Sequence, residues 1–122
     1  MAVYLAGPMR GYVNFNFPAF DEAAAYLREL GIEVISPAEH DREQGFDETQ
    51  NSLEGFDLKA ALLWDLEQIA EASAVVVLPG WESSQGVDLE LHFAQVVDVP
   101  VLFYHPEVPG FRLRDEPYEV FV

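Results

Sequence analysis

Hydrophobic and polar positions alternate along the chain in blocks that change period several times. Val3 to Ala6 form a short apolar run closed by Gly7-Pro8, the pattern of a buried strand stopped by a turn. Met9 to Phe17 follow as a segment long for a strand-to-helix connection, and loops of that size in compact domains tend to bind something. A helix is predicted from Asn16 or Phe17, with Pro18 in its first turn and Ala23, Ala24, Leu27 and Leu30 on one side, until Gly31 stops it. Ile32 to Ile35 make a second strand. Residues 36–56 are polar, acidic and without clear period, and read as a loop or lid, the most mobile part of the chain. Asp57 or a neighbour caps a second long helix to Ala72, and Ala74 to Leu78 form a third strand ended by Pro79-Gly80. After a loop from Trp81 to Gln85, a helix from Gly86 to Val97 leads through Pro100 into a fourth strand, Val101 to Tyr104. Val120 to Val122 offer a fifth.

Strands alternating with helices predict an α/β fold: one flavodoxin- or Rossmann-like open parallel sheet of four to five strands, helices on both faces. The length of 122 residues, half of them hydrophobic, suits one domain spanning residues 1–122. Six Lys and Arg against 22 Asp and Glu give a net charge of -16, which repels phosphate polymers and argues against a nucleic acid polymer as partner. The absence of cysteine excludes disulfides, thiolate metal sites and a cysteine nucleophile. No apolar run is long enough to cross a bilayer and no secretion signal opens the chain, so the expectation is a cytoplasmic protein without a membrane partner.

In doubly wound sheets ligands bind beyond the carboxyl ends of the strands, where strand order reverses. That rule selects the loops beginning at Gly7, Ser36 and Pro79. Two carboxylates near them stand out. Asp65 falls in the apolar stripe of Leu58, Ala61, Leu62, Ile69 and Ala72, and Glu90 shares a helix side with Val87, Ala94 and Val97. Asp65 is either one half of a site or simply paired with a basic or backbone donor; Glu90 is either the other half or a dipole-stabilising group near a helix start. Ser83, Ser84 and Gly86 lie where a helix start can receive an anion, although Ser84 also suits an N-cap. Gly7-Pro8-Met9-Arg10-Gly11 supplies a flexible backbone and one of the few cations, but matches neither the dinucleotide fingerprint nor the phosphate loop. His40, His92 and His105 show no metal-ligand spacing, so neither a metal nor a cofactor is expected. Trp64, Trp81 and most Phe residues read as core or oligomer contact, while Phe15 and Phe17 are candidates to cover a flat ring.

Taken together, Tyr4-Leu5-Ala6-Gly7-Pro8, Asp65 ahead of Ala74-Val75-Val76-Val77, and Ser84-Gln85-Gly86-Val87-Asp88-Leu89-Glu90 resemble the nucleoside 2-deoxyribosyltransferase superfamily. Within it the chain is similar to the 2'-deoxynucleoside 5'-phosphate N-hydrolases and to an uncharacterised phage-associated branch with Asn16-Phe17-Pro18-Ala19-Phe20 and Ser36-Pro37-Ala38-Glu39 signatures. The resemblance implies that Glu90 is the nucleophile and Asp65 the aspartate assisting at the base or sugar. Tyr4, counted with them as catalytic, lies with Gly7 and Arg10 where the family lines the sugar and the 5' end. Ser84 stands where the hydrolases resemble each other in a phosphate-contacting serine and the free-nucleoside transferases in an acid. With Ser84, Gly86 and Arg10 as binding residues, a 5'-monophosphate is the better substrate, although Pro8 replaces a serine that holds phosphate in the hydrolases.

The implied reaction is cleavage or transfer at an N-glycosidic bond, the glutamate attacking the anomeric carbon and water or a second base resolving the glycosyl-enzyme. The partner is then a small nucleotide or nucleoside, and the family commonly forms homodimers or larger homo-oligomers. The alternative is a non-catalytic nucleotide or ADP-ribose sensor that binds without turnover.

Overall fold

The computed structural model describes residues 2–110 and 112–119. Five strands form one sheet: β1 (Ala2–Ala6), β2 (Glu33–Ile35), β3 (Ala74–Val77), β4 (Val101–Tyr104) and β5 (Leu113–Arg114). Their spatial order is β2-β1-β3-β4-β5, the first four parallel and β5 antiparallel to β4. The fold is the α/β sheet predicted, with one correction: its fifth strand is the antiparallel pair at 113–114. The strand expected at Val120 to Val122 lies outside the described residues.

Among the described residues four α-helices connect the strands: α1 (Phe17–Glu29), α2 (Pro37–Glu43), α3 (Leu58–Glu71) and α4 (Gln85–Val96). Helix α1 packs Phe17, Phe20, Ala23, Ala24 and Leu27 against Val3, Leu5 and Val76 on one face of the sheet. The other face, with Tyr4, Ala6, Val75 and Val77, meets Ile69 of α3 and Val87, Leu91 and Ala94 of α4. Alternation along β1 therefore sends Val3 and Leu5 to one side and Tyr4 and Ala6 to the other, as the pleat requires.

The chain leaves β1 for β2 on one side and later adds β3 on the other, so strand order reverses between β1 and β3. Gly7 ends β1 at that crevice because a Cβ there would lie 2.9 Å from Leu78 Cβ, inside the limit for real contacts. The connection from β1 to α1 then takes a costly path: Asn14, Phe15 and Asn16 have φ of 50°, 51° and 62°, a left-handed run rare outside glycine. Asn16 Nδ2 holds it by donating to the Pro8 carbonyl at 2.9 Å. The run turns Phe15 and Phe17 inward, so both are core residues rather than covers for a flat ring.

Residues 36–56 also depart from expectation. They contain α2 and a 3-10 turn, Glu48–Gln50, instead of an aperiodic loop. Pro37 at the first helical position presets φ, and Ala38 and Asp41 face inward one turn apart. Phe46 anchors the rest, its ring 5.2 Å from Phe15, 5.7 Å from Phe17 and 5.0 Å from Phe56. Arg42 ties the segment to α1 through Asp21 at 2.8 Å and to Glu48 at 2.6 Å.

Candidate active site

Tyr4 projects from the middle of β1 into the layer between the sheet and the helices α3 and α4. Its hydroxyl donates to Glu90 Oε2 at 2.5 Å, closing a contact between residues 86 apart in the chain. Glu90 is only 7% exposed, one of the few buried charged residues, because it falls on the inward stripe of α4 with Val87, Leu91 and Ala94. Burial pushes its carboxyl up to about 7, and the Tyr4 hydrogen bond opposes that rise. Tyr4 is held well above the usual phenol range by burial and by the charges of Glu90 and Asp65, so it remains a fixed donor.

Asp65 approaches from α3. Its Oδ1 is sealed from solvent without a hydrogen-bond partner among the described residues. Burial raises its pKa to about 8, the charges of Glu90 and Asp41 adding to the effect and Tyr4 opposing it. An amphipathic helix would not place a carboxyl here for packing alone, since an unpaired buried acid is costly. Burial raises both carboxyls and the charge of Glu90 raises Asp65 further, so the pair favours holding a proton near neutral pH.

Ser84 caps α4, its Oγ accepting from Val87 N–H at 3.3 Å, and Gly86 lies exposed in the first turn of that helix. Glu90 follows Ser84 by six residues on the same helix. Pro8 is buried behind Gly7, whereas Arg10 is exposed at the loop tip with no ion pair among the described residues. The structure thus brings together Tyr4, Asp65 and Glu90. It places Ser84 and Gly86 at the start of the helix that carries Glu90, and leaves Arg10 apart from the carboxylates.

Sequence reasoning missed Asp41. It is 7% exposed, and burial alone raises its pKa to about 6. It lines a cleft of about 750 Å³ between α2, the segment from Gln44 to Phe56 and the first turn of α3. The neighbouring His40 stacks flat on Trp64, ring centroids 3.7 Å apart and planes within 3°, which fastens α2 to the residue preceding Asp65. One signal was present: Ser36-Pro37-Ala38-Glu39 has the spacing of a helix start, and Asp41 follows Ala38 by one turn. The helix begins there without the capping bond, for Glu39 pairs instead with Arg28 at 2.7 Å. No group of three or more His, Asp or Glu among the described residues is arranged to hold a metal ion.

A solved 2-deoxyribosyltransferase from the psychrotolerant bacterium Bacillus psychrosaccharolyticus has a similar structure, with a TM-score of 0.62 and 21% sequence identity over 90% of this chain and 77% of that one. The shared fold is the deoxyribosyltransferase-like α/β sheet. No curated protein sequence matches the chain. Residues 1–103, which carry every site residue described above, match a domain of unknown function, and the chain belongs to that family, DUF4406.

Proposed function

We propose that this protein breaks the N-glycosidic bond of a deoxynucleoside or its 5'-monophosphate through a glycosyl intermediate on Glu90. The observation that carries the reading is the buried Tyr4–Glu90 hydrogen bond together with Asp65, on which the charge of Glu90 acts and whose Oδ1 is sealed without a hydrogen-bond partner among the described residues. The fold similarity to a 2-deoxyribosyltransferase supports the class of reaction.

The chemistry follows from the protonation states. Tyr4 occupies Oε2 of Glu90, which fixes the carboxylate and leaves Oε1 to attack. A bond forms from Oε1 to the anomeric carbon as the carbon–nitrogen bond breaks, its electron pair leaving on the base. Asp65 delivers its proton to the departing base, and burial keeps that proton in place beforehand. Water or a second base then attacks the anomeric carbon, the Glu90 ester bond breaks, and a proton from the incoming nucleophile returns to Asp65. Hydrolase and transferase differ only in that acceptor. For a monophosphate, Ser84 and the exposed N–H groups around Gly86 receive the phosphate with Arg10 as counter-charge. Self-association is part of the reading, supported by the exposed Leu58, Leu63, Leu89 and Val96 on α3 and α4.

The test is base release, by chromatography, from deoxynucleosides and their 5'-monophosphates, with and without an acceptor base, comparing wild type with Glu90→Gln. Release by wild type alone supports the reading, and exchange that needs the acceptor identifies a transferase. Saturable binding without release from any substrate overturns it in favour of a sensor.

A further inference from the structure

The cleft beside α2 has an unusual wall. Asp41, Asp47, Glu54 and Asp57 line it and no lysine or arginine does. Two of the four are occupied: Asp47 accepts from Thr49 and Asp57 caps the Ala60 N–H. Glu54 is exposed. Asp41 differs from all three, being more than nine-tenths buried while no side-chain hydrogen bond or ion pair reaches its carboxyl among the described residues. Its carboxyl oxygens are not sealed from solvent as Asp65 Oδ1 is; they open on the cleft, where an entering donor would exchange their hydration for a direct hydrogen bond. The Asp41 charge acts on Asp65, and the stacked His40–Trp64 pair joins the two helices one residue away from both acids. Tyr4, Asp65 and Glu90 are not themselves lining residues of the cleft, and His40 and Asp41 are its link to the proposed site of bond breaking.

We propose that Asp41 selects the nucleobase: the cleft receives the base, and the Asp41 carboxylate accepts a hydrogen bond from an exocyclic amino group, favouring amino-bearing bases over their oxo counterparts. The inference rests on the glycosidic reading of Glu90 and Asp65 for its choice of ligand class. An amino group gives the buried carboxylate a charge-assisted bond, whereas a carbonyl oxygen in the same place faces it acceptor to acceptor and leaves it unpaired. Burial pushes Asp41 only to about 6, so it is mostly ionised at neutral pH and is an acceptor there. The acidic lining also sets the orientation. A 5'-phosphate is repelled from this cleft and must lie elsewhere, so the base end of the substrate enters here. The volume of about 750 Å³ admits a base with room for its sugar to reach outward.

The experiment uses the full chain and substrate pairs in which an amino group is replaced by an oxo group: 2'-deoxyadenosine against 2'-deoxyinosine, and 2'-deoxycytidine against 2'-deoxyuridine. Dissociation constants are measured by calorimetry on Glu90→Gln, which binds without turnover, and kcat/KM on the wild type. The amino member of the pair is expected to be favoured by about 10-fold or more, and Asp41→Asn to bring the ratio within about 3-fold by raising KM for that member. Equal or inverted preference in the Glu90→Gln protein overturns the inference, as does a preference that survives Asp41→Asn. Should Asp41→Asn fail to fold by circular dichroism, the ratio with Asp41 intact decides alone. Absence of base release together with an Asp41-dependent amino preference overturns the glycosidic reading and supports this one; turnover without preference does the reverse.

Discussion

At the scale of the residue, the site is defined by three groups whose surroundings push them from their ordinary states. Tyr4 is the simplest to examine because Tyr4→Phe removes one oxygen from a buried ring without leaving a large void. The lost donor is a hydrogen bond to a carboxylate, worth about 1.5–3 kcal/mol. The variant is expected to remain folded and to lose about 10- to 100-fold in kcat. Its pH profile carries a sharper signature. Tyr4 opposes the burial-driven rise of Glu90, so without it the acid limb of activity moves to higher pH, read from kcat/KM between pH 5 and 9. An unshifted limb would mean that Tyr4 supports the layer rather than the carboxylate.

Two carboxyls at inward helical positions were legible in the sequence because the apolar stripes around Asp65 and Glu90 have a strict period. That Tyr4 bonds Glu90 was not legible in the pattern, although the resemblance grouped the two. Tyr4 lies inside an apolar strand run, and nothing in a linear pattern tells which pleat face meets which helix. Asp41 was harder to find for a different reason: its helix is seven residues long, too short for two full helical turns to show a period, and only the helix-start signal at Ser36 marked it.

At the scale of the element, every long helix and the first four strands follow from periodicity and punctuation. Asp57 caps α3 as its position suggests, accepting from Ala60 N–H at 3.0 Å. Ser84 does the same for α4, so its proposed phosphate contact competes with an existing cap. The segment from Gln44 to Phe56 is held by aromatic edges rather than by regular hydrogen bonding, and Phe46 is the hub of those edges. Truncation by Phe46→Ala is expected to destabilise the fold by about 2–4 kcal/mol, measured by urea denaturation. Hydrogen exchange should locate the loosening in residues 44–56, with the sheet protected. Uniform loss of protection would show instead that Phe46 belongs to the global core.

At the scale of the molecule, two buried carboxyls set a pH dependence opposite to the common one. Both have folded pKa values above their unfolded ones, so the folded state binds more protons than the unfolded chain between about pH 4 and pH 8. Their contribution is favourable below the unfolded values and is lost as pH rises through about 7 for Glu90 and about 8 for Asp65. Ordinary surface carboxylates are fully ionised by pH 6, which leaves the interval from 6 to 8 as the diagnostic one. The double variant Asp65→Asn/Glu90→Gln is expected to gain at least about 1 kcal/mol over wild type at pH 8 and much less at pH 5, by thermal or urea unfolding. A gain independent of pH would place its origin in packing. No helix among the described residues is long and apolar enough to cross a membrane.

The bond between Tyr4 and Glu90 spans 86 residues and joins β1 to the helix before β4. Its formation requires the sheet to have been assembled across β1 and β3 and α4 to have docked upon them, with the acids driven together against their mutual repulsion. Refolding is therefore expected in two tempos: backbone order returns early with the local helices, and competence returns later with the most distant contact. The activity proposed for this chain is then expected to be regained last on folding and lost first on loosening, read as base release followed against circular dichroism during refolding.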